Sequence, residues 1–388
     1  MKLPPYFEFT SPPRLLAGTG ALDHLPHELK ALGCRRPLVL RDPGLSVTGL
    51  PALIDRLLEQ GEVVPGALFT DLPADAPMSR VMAAAELYRE KGCDGLLAIG
   101  GGSTLDTAKA ALLVISSGAK EFAGVEGFHD FHGPVVPFVL VPTTAGTGSE
   151  GTTVAVVTHD DKHVKMELVT PRMLPQTAIL DPRCTTTLPA KITAATGIDA
   201  LTHSLEALTC RQANPLSRVH ALAAIELVRD HLENAILNPG DQDSRHAMAL
   251  AAYLAGVSFS NSMVGAVHAL GHGLGAVAHL AHGLTMELLL LPVLRHNRPA
   301  IEAELAELAR LWSPELAAAE LPDFLDSLEA FLVALRKYAG LPSTLAQAGV
   351  TRDQLPAVVE RAWMDGSLLT NPVELSKADL LALLEAAF

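Results

Sequence analysis

The sequence predicts an α/β domain built on a parallel sheet, followed by an all-helical domain. Three observations predict this. Short β-rich runs alternate with helical patterns through the first half of the chain, and glycine-rich turns follow two of those runs. After about Leu188, almost everything is rich in Ala and Leu at helical spacing. Strands alternating with helices of this length indicate βαβ units and a parallel sheet.

Taken in order, PLVL at 37–40 reads as a short buried strand, closed by the turn Arg41-Asp42-Pro43-Gly44. Residues 50–60 read as a helix, VVPGALF at 63–69 as a strand, and 79–91 as a helix. GLLAIGGGS runs from a strand into a glycine turn, 104–116 is helical, and VVPFVLVPTT at 135–144 is a buried strand. Asp, Pro, Arg and three threonines cluster at 181–188, which marks a boundary between domains 1–186 and 187–388. Asn238-Pro239-Gly240 and Gly340-Leu341-Pro342 break the helices that follow.

Bulk properties narrow the class. A chain of 388 residues exceeds one ordinary core. With 49% hydrophobic and 19% charged residues it is a folded globular protein. Its formal net charge of -14 repels phosphate backbones, so nucleic acid is not an expected partner. The four cysteines, Cys34, Cys93, Cys184 and Cys210, form no C-x-x-C pair. That spacing points to a reducing, cytoplasmic setting and away from a disulfide framework or a thiolate zinc site. The first residues, MKLPPYFEF, hold early prolines and no long apolar core, so no secretory signal is expected there. Residues 246–286 contain no Asp, Glu, Lys or Arg, a length that could span a bilayer. His268, His272, His279, His282, Asn261 and several Ser and Gly interrupt it, so buried central helices are expected and no membrane span.

Two glycine turns carry the first chemistry. In AIGGGSTLDTAKA at 98–110 the glycines end a strand and open a helix. Backbone N–H groups of Gly101, Gly102 and Ser103 can approach an anion closely there, and the helix N-terminus favours negative charge. A diphosphate is the natural guest, although the run is not the G-x-G-x-x-G fingerprint. VPTTAGTGSEGT at 141–152 also follows a strand and adds the hydroxyls of Thr143, Thr144, Thr147 and Ser149. Ligands of open α/β sheets bind at the carboxyl ends of strands, where both turns lie. Asp42 also follows a strand. An acidic group so placed holds adenosine ribose hydroxyls and repels a 2′-phosphate, so NAD is expected over NADP. Arg41 beside it should point the other way, as neighbours in extended chain do.

The second chemistry is that of a metal. TGIDALTHSLEALT places Asp199 and His203 four residues apart, on one face of a helix. VHALGHGLGAVAHLAHG adds His268, His272, His279 and His282 within fifteen residues. Spacing alone does not choose among these four. An Asp with two or three His suits Fe²⁺ or Zn²⁺ and leaves a position open for substrate.

These segments, with DGSLLTNP at 365–372, resemble the iron-containing (group III) alcohol dehydrogenases, whose better-known members include lactaldehyde reductase and 1,3-propanediol dehydrogenase. The resemblance covers nearly the whole chain, in the family's order and spacing. It implies a Rossmann-like N-terminal dinucleotide domain and a C-terminal helical metal-binding domain, the dehydroquinate synthase-like architecture. It implies Asp199, His203, His268 and His282 as metal ligands, and His272 as a non-ligand active-site histidine. His279 would belong to the surroundings or the core. Asp42, Gly101, Gly102, Ser103, Asp106, Thr143, Thr144, Thr147 and Lys165 match cofactor-contacting positions, and Phe259 an aromatic near the substrate. The implied reaction interconverts a small primary alcohol and its aldehyde with NAD(H), in a cytoplasmic homodimer. The metal would favour the alkoxide and His272 would relay the proton. Val373 stands where some members carry Arg. Other chemistries occur on the same scaffold: glycerol dehydrogenase, maleylacetate reductase, and the lyase dehydroquinate synthase. The complete Asp-His-His-His set disfavours the metal-free reductase. The scarcity of basic residues near the histidines disfavours the lyase. A non-catalytic nucleotide- or metal-binding protein could have lost His272 or a ligand, and none is lost.

Overall fold

The structure is a computed structural model, and it describes residues 4–122, 131–161 and 164–388. Contacts divide the chain into two units: Thr10–Thr187 with Gly240–Gly256, and Leu188–Pro239 with Val257–Phe388 and Met1–Phe9.

The first unit holds eight strands among its described residues: β1 Arg14–Ala17, β2 Pro37–Arg41, β3 Ala67–Phe69, β4 Gly95–Gly100, β5 Phe138–Pro142, β6 Val154–His159, β7 Val164–Val169 and β8 Thr177–Leu180. Its helices are α1 Leu25–Ala31, α2 Leu50–Gln60, α3 Met78–Glu90 and α4 Gly102–Ser117. Six strands form one parallel sheet in the order β1-β8-β5-β4-β2-β3. Every residue of β4, β5 and β8 is buried, as expected when helices cover both faces. Alternation then sorts side chains between two cores. Leu38, Leu40, Leu96, Ala98, Phe138 and Leu140 pack with α3 and α4, through Val81, Ala84, Leu105 and Leu112. Val39, Leu97, Ile99, Val139 and Val141 pack with α1 and α2, through Leu25, Leu29, Ile54 and Leu58.

Two expected strands are shorter than their sequence runs. Only Ala67–Phe69 of 63–69 is strand: Pro65 lacks a donor and the chain bends at Gly66, although Gly66 N already donates to Pro37 O on β2. In 135–144 the strand begins after Pro137. The antiparallel hairpin β6–β7 was not anticipated.

The second unit is helical: α5 Ala190–Thr209, α6 Pro215–Leu237, the end of α7 (Gln242–Ser260), α8 Ala266–Ala278, α9 His282–Trp312, α10 Phe324–Ala339, α11 Leu355–Trp363 and α12 Lys377–Ala386. Every residue of α5 from Gly197 to Thr209 is buried, so this helix runs through the middle of its unit. The uncharged stretch 246–286 falls on α7, α8 and the start of α9, broken by turns between them. No described helix is long and apolar enough to cross a membrane.

One buried cation ties the sheet unit together. Lys109 on α4 is fully buried and donates to Ser149 O (2.8 Å), Thr152 Oγ1 (2.8 Å) and Val154 O (2.5 Å). Burial pushes its amine down to about 8, while Asp106 and Glu150 pull it back up. Lys109→Met leaves those carboxyl groups and carbonyls without their cation. Breaking a buried pair this way costs about 3–5 kcal/mol. The midpoint of urea unfolding, followed by circular dichroism, should fall accordingly. An unchanged midpoint would show that Lys109 does not hold the 143–154 segment to α4.

Candidate metal and nucleotide site

Helix α5 presents Asp199, His203 and Glu206 at i, i+4 and i+7, one stripe of a 3.6-residue helix. His268 comes from α8, and His282 opens α9. His282 is set close to α5 by Gly283, where a Cβ would lie 2.3 Å from Ala195 O. Asp199, His203, His268 and His282 each offer a ligand atom within 4.8 Å of the others. His282 Nε2 stands 3.4 Å from Asp199 Oδ1, and His203 Nδ1 stands 3.7 Å from it.

The electrostatics suit a cation. Asp199 Oδ1, His203 Nδ1 and His268 Nε2 are buried with no hydrogen-bond partner among the described residues. Buried polar atoms are normally paired, so three orphans at one point call for a shared partner. Burial pushes His203 down to about 3 and His268 well below the ordinary histidine value, which keeps both imidazoles neutral and able to ligate. Burial alone would raise the Asp199 carboxyl, but the facing His203 and His282 outweigh it and bring the group below the usual carboxylate range. One carboxylate and three imidazoles are donors that Fe²⁺ and Zn²⁺ both accept.

Around this cluster, Phe259 stacks on His203 with ring centroids 4.3 Å apart. His272 stacks on His282 at 5.5 Å and turns its Nδ1 to Asp365 Oδ2, 2.7 Å away. Burial raises the Asp365 carboxyl, yet its bond to His272 wins and holds it well below the usual carboxylate range. His279 is exposed and ends α8 in the left-handed region at φ 55°, outside both the cluster and the core.

In the sheet unit, Asp42, Gly101 to Ser103 and Thr143 to Thr147 lie at the carboxyl ends of the neighbouring strands β2, β4 and β5. The turns are joined by Asp42 N donating to Ile99 O and Thr143 N to Gly100 O. Helix α4 starts after Gly101 with no side-chain cap. Arg41 is directed to Asp55 on α2, 3.1 Å away, and Asp42 accepts from Gly44 N. Ser103 Oγ accepts from Asp75 N, and Lys165 pairs with the Asp75 carboxylate at 2.9 Å, which brings those two together. Asp106 accepts from Ser149 Oγ and Val156 N, bonds that hold the second glycine turn.

Comparison with known proteins agrees with this geometry. Residues 12–182 match the family model described as iron-containing alcohol dehydrogenase, and 193–388 match its C-terminal counterpart. The chain belongs to the iron-containing alcohol dehydrogenase family. It is 33% identical over 382 residues to the NAD-dependent methanol dehydrogenase of Bacillus methanolicus, covering 98% of this chain and 99% of the relative. It is 32% identical over 374 residues to the lactaldehyde reductase of Escherichia coli K12, covering 96% and 97%. A crystal structure of 1,3-propanediol oxidoreductase superposes with a TM-score of 0.93 at 30% identity, covering 99% of this chain and all of that one. As a member of this family the protein is an alcohol/aldehyde oxidoreductase.

Two residues of this dehydrogenase escaped the sequence reading. Glu206 Oε2 lies 2.5 Å from His268 Nδ1. Burial pushes its carboxyl up to about 7, against the backbone donors of Gly265 and Val267. Its place at i+7 from Asp199 was a readable signal. Asp365 is 93 positions from His272, and nothing local links the two.

His282→Ala should therefore lower bound metal, measured by elemental analysis after loading. His279→Gly should keep full metal content and lose no stability, since glycine adopts the left-handed cap without strain. Metal lost from His279→Gly and retained by His282→Ala would reverse the assignment.

Proposed function

We propose that this enzyme interconverts a small primary alcohol and its aldehyde with NAD(H), using Fe²⁺ or Zn²⁺ held by Asp199, His203, His268 and His282. The observation that carries the reading is the convergence of four ligand-capable groups, three of which, Asp199, His203 and His268, hold a buried atom with no hydrogen-bond partner among the described residues. A divalent cation held there would supply a Lewis acid for the alcohol oxygen, and a bound NAD(H) would supply the hydride chemistry. The remaining work falls to side chains. Phe259 offers an apolar wall for a short carbon chain. Asp365 keeps a proton on His272 Nδ1, which makes Nε2 the basic nitrogen for the proton leaving the alcohol.

Gly101, Gly102 and Ser103 would face the diphosphate, with Asp106, Thr143, Thr144, Thr147 and Lys165 around the nucleotide. Asp42 would bond the adenosine ribose. The pairing of Arg41 with Asp55 supports a preference for NAD, because it engages the cation adjacent to Asp42 in sequence. The domains would divide near 186/187, with cofactor residues in the first and metal ligands in the second. The family resemblance further implies a homodimer in the cytoplasm, whose reducing conditions suit four buried free thiols.

The test is aldehyde reduction followed by NADH consumption, before and after chelation. Stripping metal should abolish turnover while NAD still binds, and Fe²⁺ or Zn²⁺ should restore it. With NADPH, kcat/KM should fall by about tenfold or more, as charge repulsion at an adenosine ribose predicts. Asp42→Gly should narrow that ratio. Full activity without metal, or a wild-type preference for NADPH, would overturn the corresponding part of the reading.

A further inference from the structure

Helix α8 begins without any cap of its own. Its N-cap is Gly265, which offers no side-chain acceptor, and the usual Ser, Thr, Asp or Asn would crowd its neighbours there. A Cβ at Gly265 would lie 3.0 Å from Glu206 Oε1 and 3.0 Å from Asn371 Oδ1. Those two side chains supply the missing acceptors from elsewhere in the fold. Val267 N donates to Glu206 Oε1 (2.7 Å), and Ala266 N donates to Asn371 Oδ1 (3.2 Å). The other oxygen of Glu206 meets His268 Nδ1 at 2.5 Å. One buried carboxylate on α5 thus grips both the start of α8 and the first imidazole that α8 delivers. His268 Nε2, on the far side of the ring, is the orphaned nitrogen that faces Asp199 and His203.

We propose that Glu206 is the positioning residue of the metal centre: it accepts the Nδ1 proton of His268, which leaves the Nε2 lone pair for the cation, and it docks α8 against α5. The inference rests on the proposed Asp199, His203, His268, His282 ligand set. A histidine ligand generally gives its second ring N–H to a carboxylate or carbonyl, which fixes tautomer and ring plane. Here the same helix carries two ligands and the group that orients the third.

Glu206→Gln separates this role from simple capping. An amide has one acceptor oxygen and an NH₂ group. The oxygen can still accept from Val267 N, which retains the cap. The NH₂ group then faces His268 Nδ1 and donates to it. That drives the imidazole proton to Nε2 and blocks the lone pair. Zinc affinity, titrated with a competing chelator, should therefore fall about 10–100-fold. The melting temperature of metal-free protein should stay near wild type. A carboxylate that served only as a cap would leave the affinity unchanged as well, because the amide oxygen keeps the cap, and that result would overturn the proposal. If Glu206→Gln does not fold, the wild type decides alone. In zinc-loaded protein with isotope-labelled histidine, the His268 resonances should show a proton on Nδ1. A proton absent from Nδ1 would sink the idea. Wild-type protein that binds no zinc would instead remove the ligand set beneath it.

Discussion

One carboxylate oxygen and two imidazole nitrogens, buried with no hydrogen-bond partner among the described residues, impose the governing constraint on this helical unit. An uncompensated charge in such a place is strongly unfavourable, and an orphaned imidazole adds the cost of lost hydration. The surrounding architecture keeps those groups converged. Helix α5 is buried along its whole second half, so Asp199 and His203 cannot turn to water. Gly283 lets the first turn of α9 come up against the backbone of α5 and bring His282 with it. The fold holds the cluster in a state that the proposed cation would relieve.

The sheet unit meets a different requirement. A diphosphate needs donors at close range, and parallel strands end at one edge with helix N-termini beside them. Here that edge is furnished by turns after β2, β4 and β5. Its rigidity comes from behind, where Lys109 and Asp106 on α4 bond the 143–156 segment from within. A cofactor-matching position can thus be a scaffold as well: Asp106 acts on the loop through Ser149.

Much of this was legible in the sequence because it is local. Helix α2 was readable at its observed limits, since its apolar positions recur at helical spacing between a turn and a glycine. The glycine turns, the D-x-x-x-H pair and the histidine-rich run are short-range patterns. What escaped reading is either short or non-local. Strands β1 and β8 have four residues each, too few to display a period, and their pairing partners lie far off in sequence. The hairpin β6–β7 was passed over although Lys165 and Glu167 alternate with apolar neighbours on β7. Spacing could not distinguish His279 from His282. The structure separates them by a left-handed turn that exposes the first while the second enters the cluster. Asp365 reaches His272 from the N-cap of the 3₁₀ turn at Gly366–Thr370, a fact of tertiary packing.

The central claim, one cation held by one carboxylate and three imidazoles, is tested most directly by X-ray absorption at the metal edge of protein loaded with a single equivalent of Zn²⁺ or Fe²⁺. The account predicts a first shell of only nitrogen and oxygen, at about 2.0–2.2 Å for zinc, with outer-shell scattering from three imidazole rings. A shell containing sulfur, a shell with one imidazole or none, or failure to retain the equivalent of metal would contradict it.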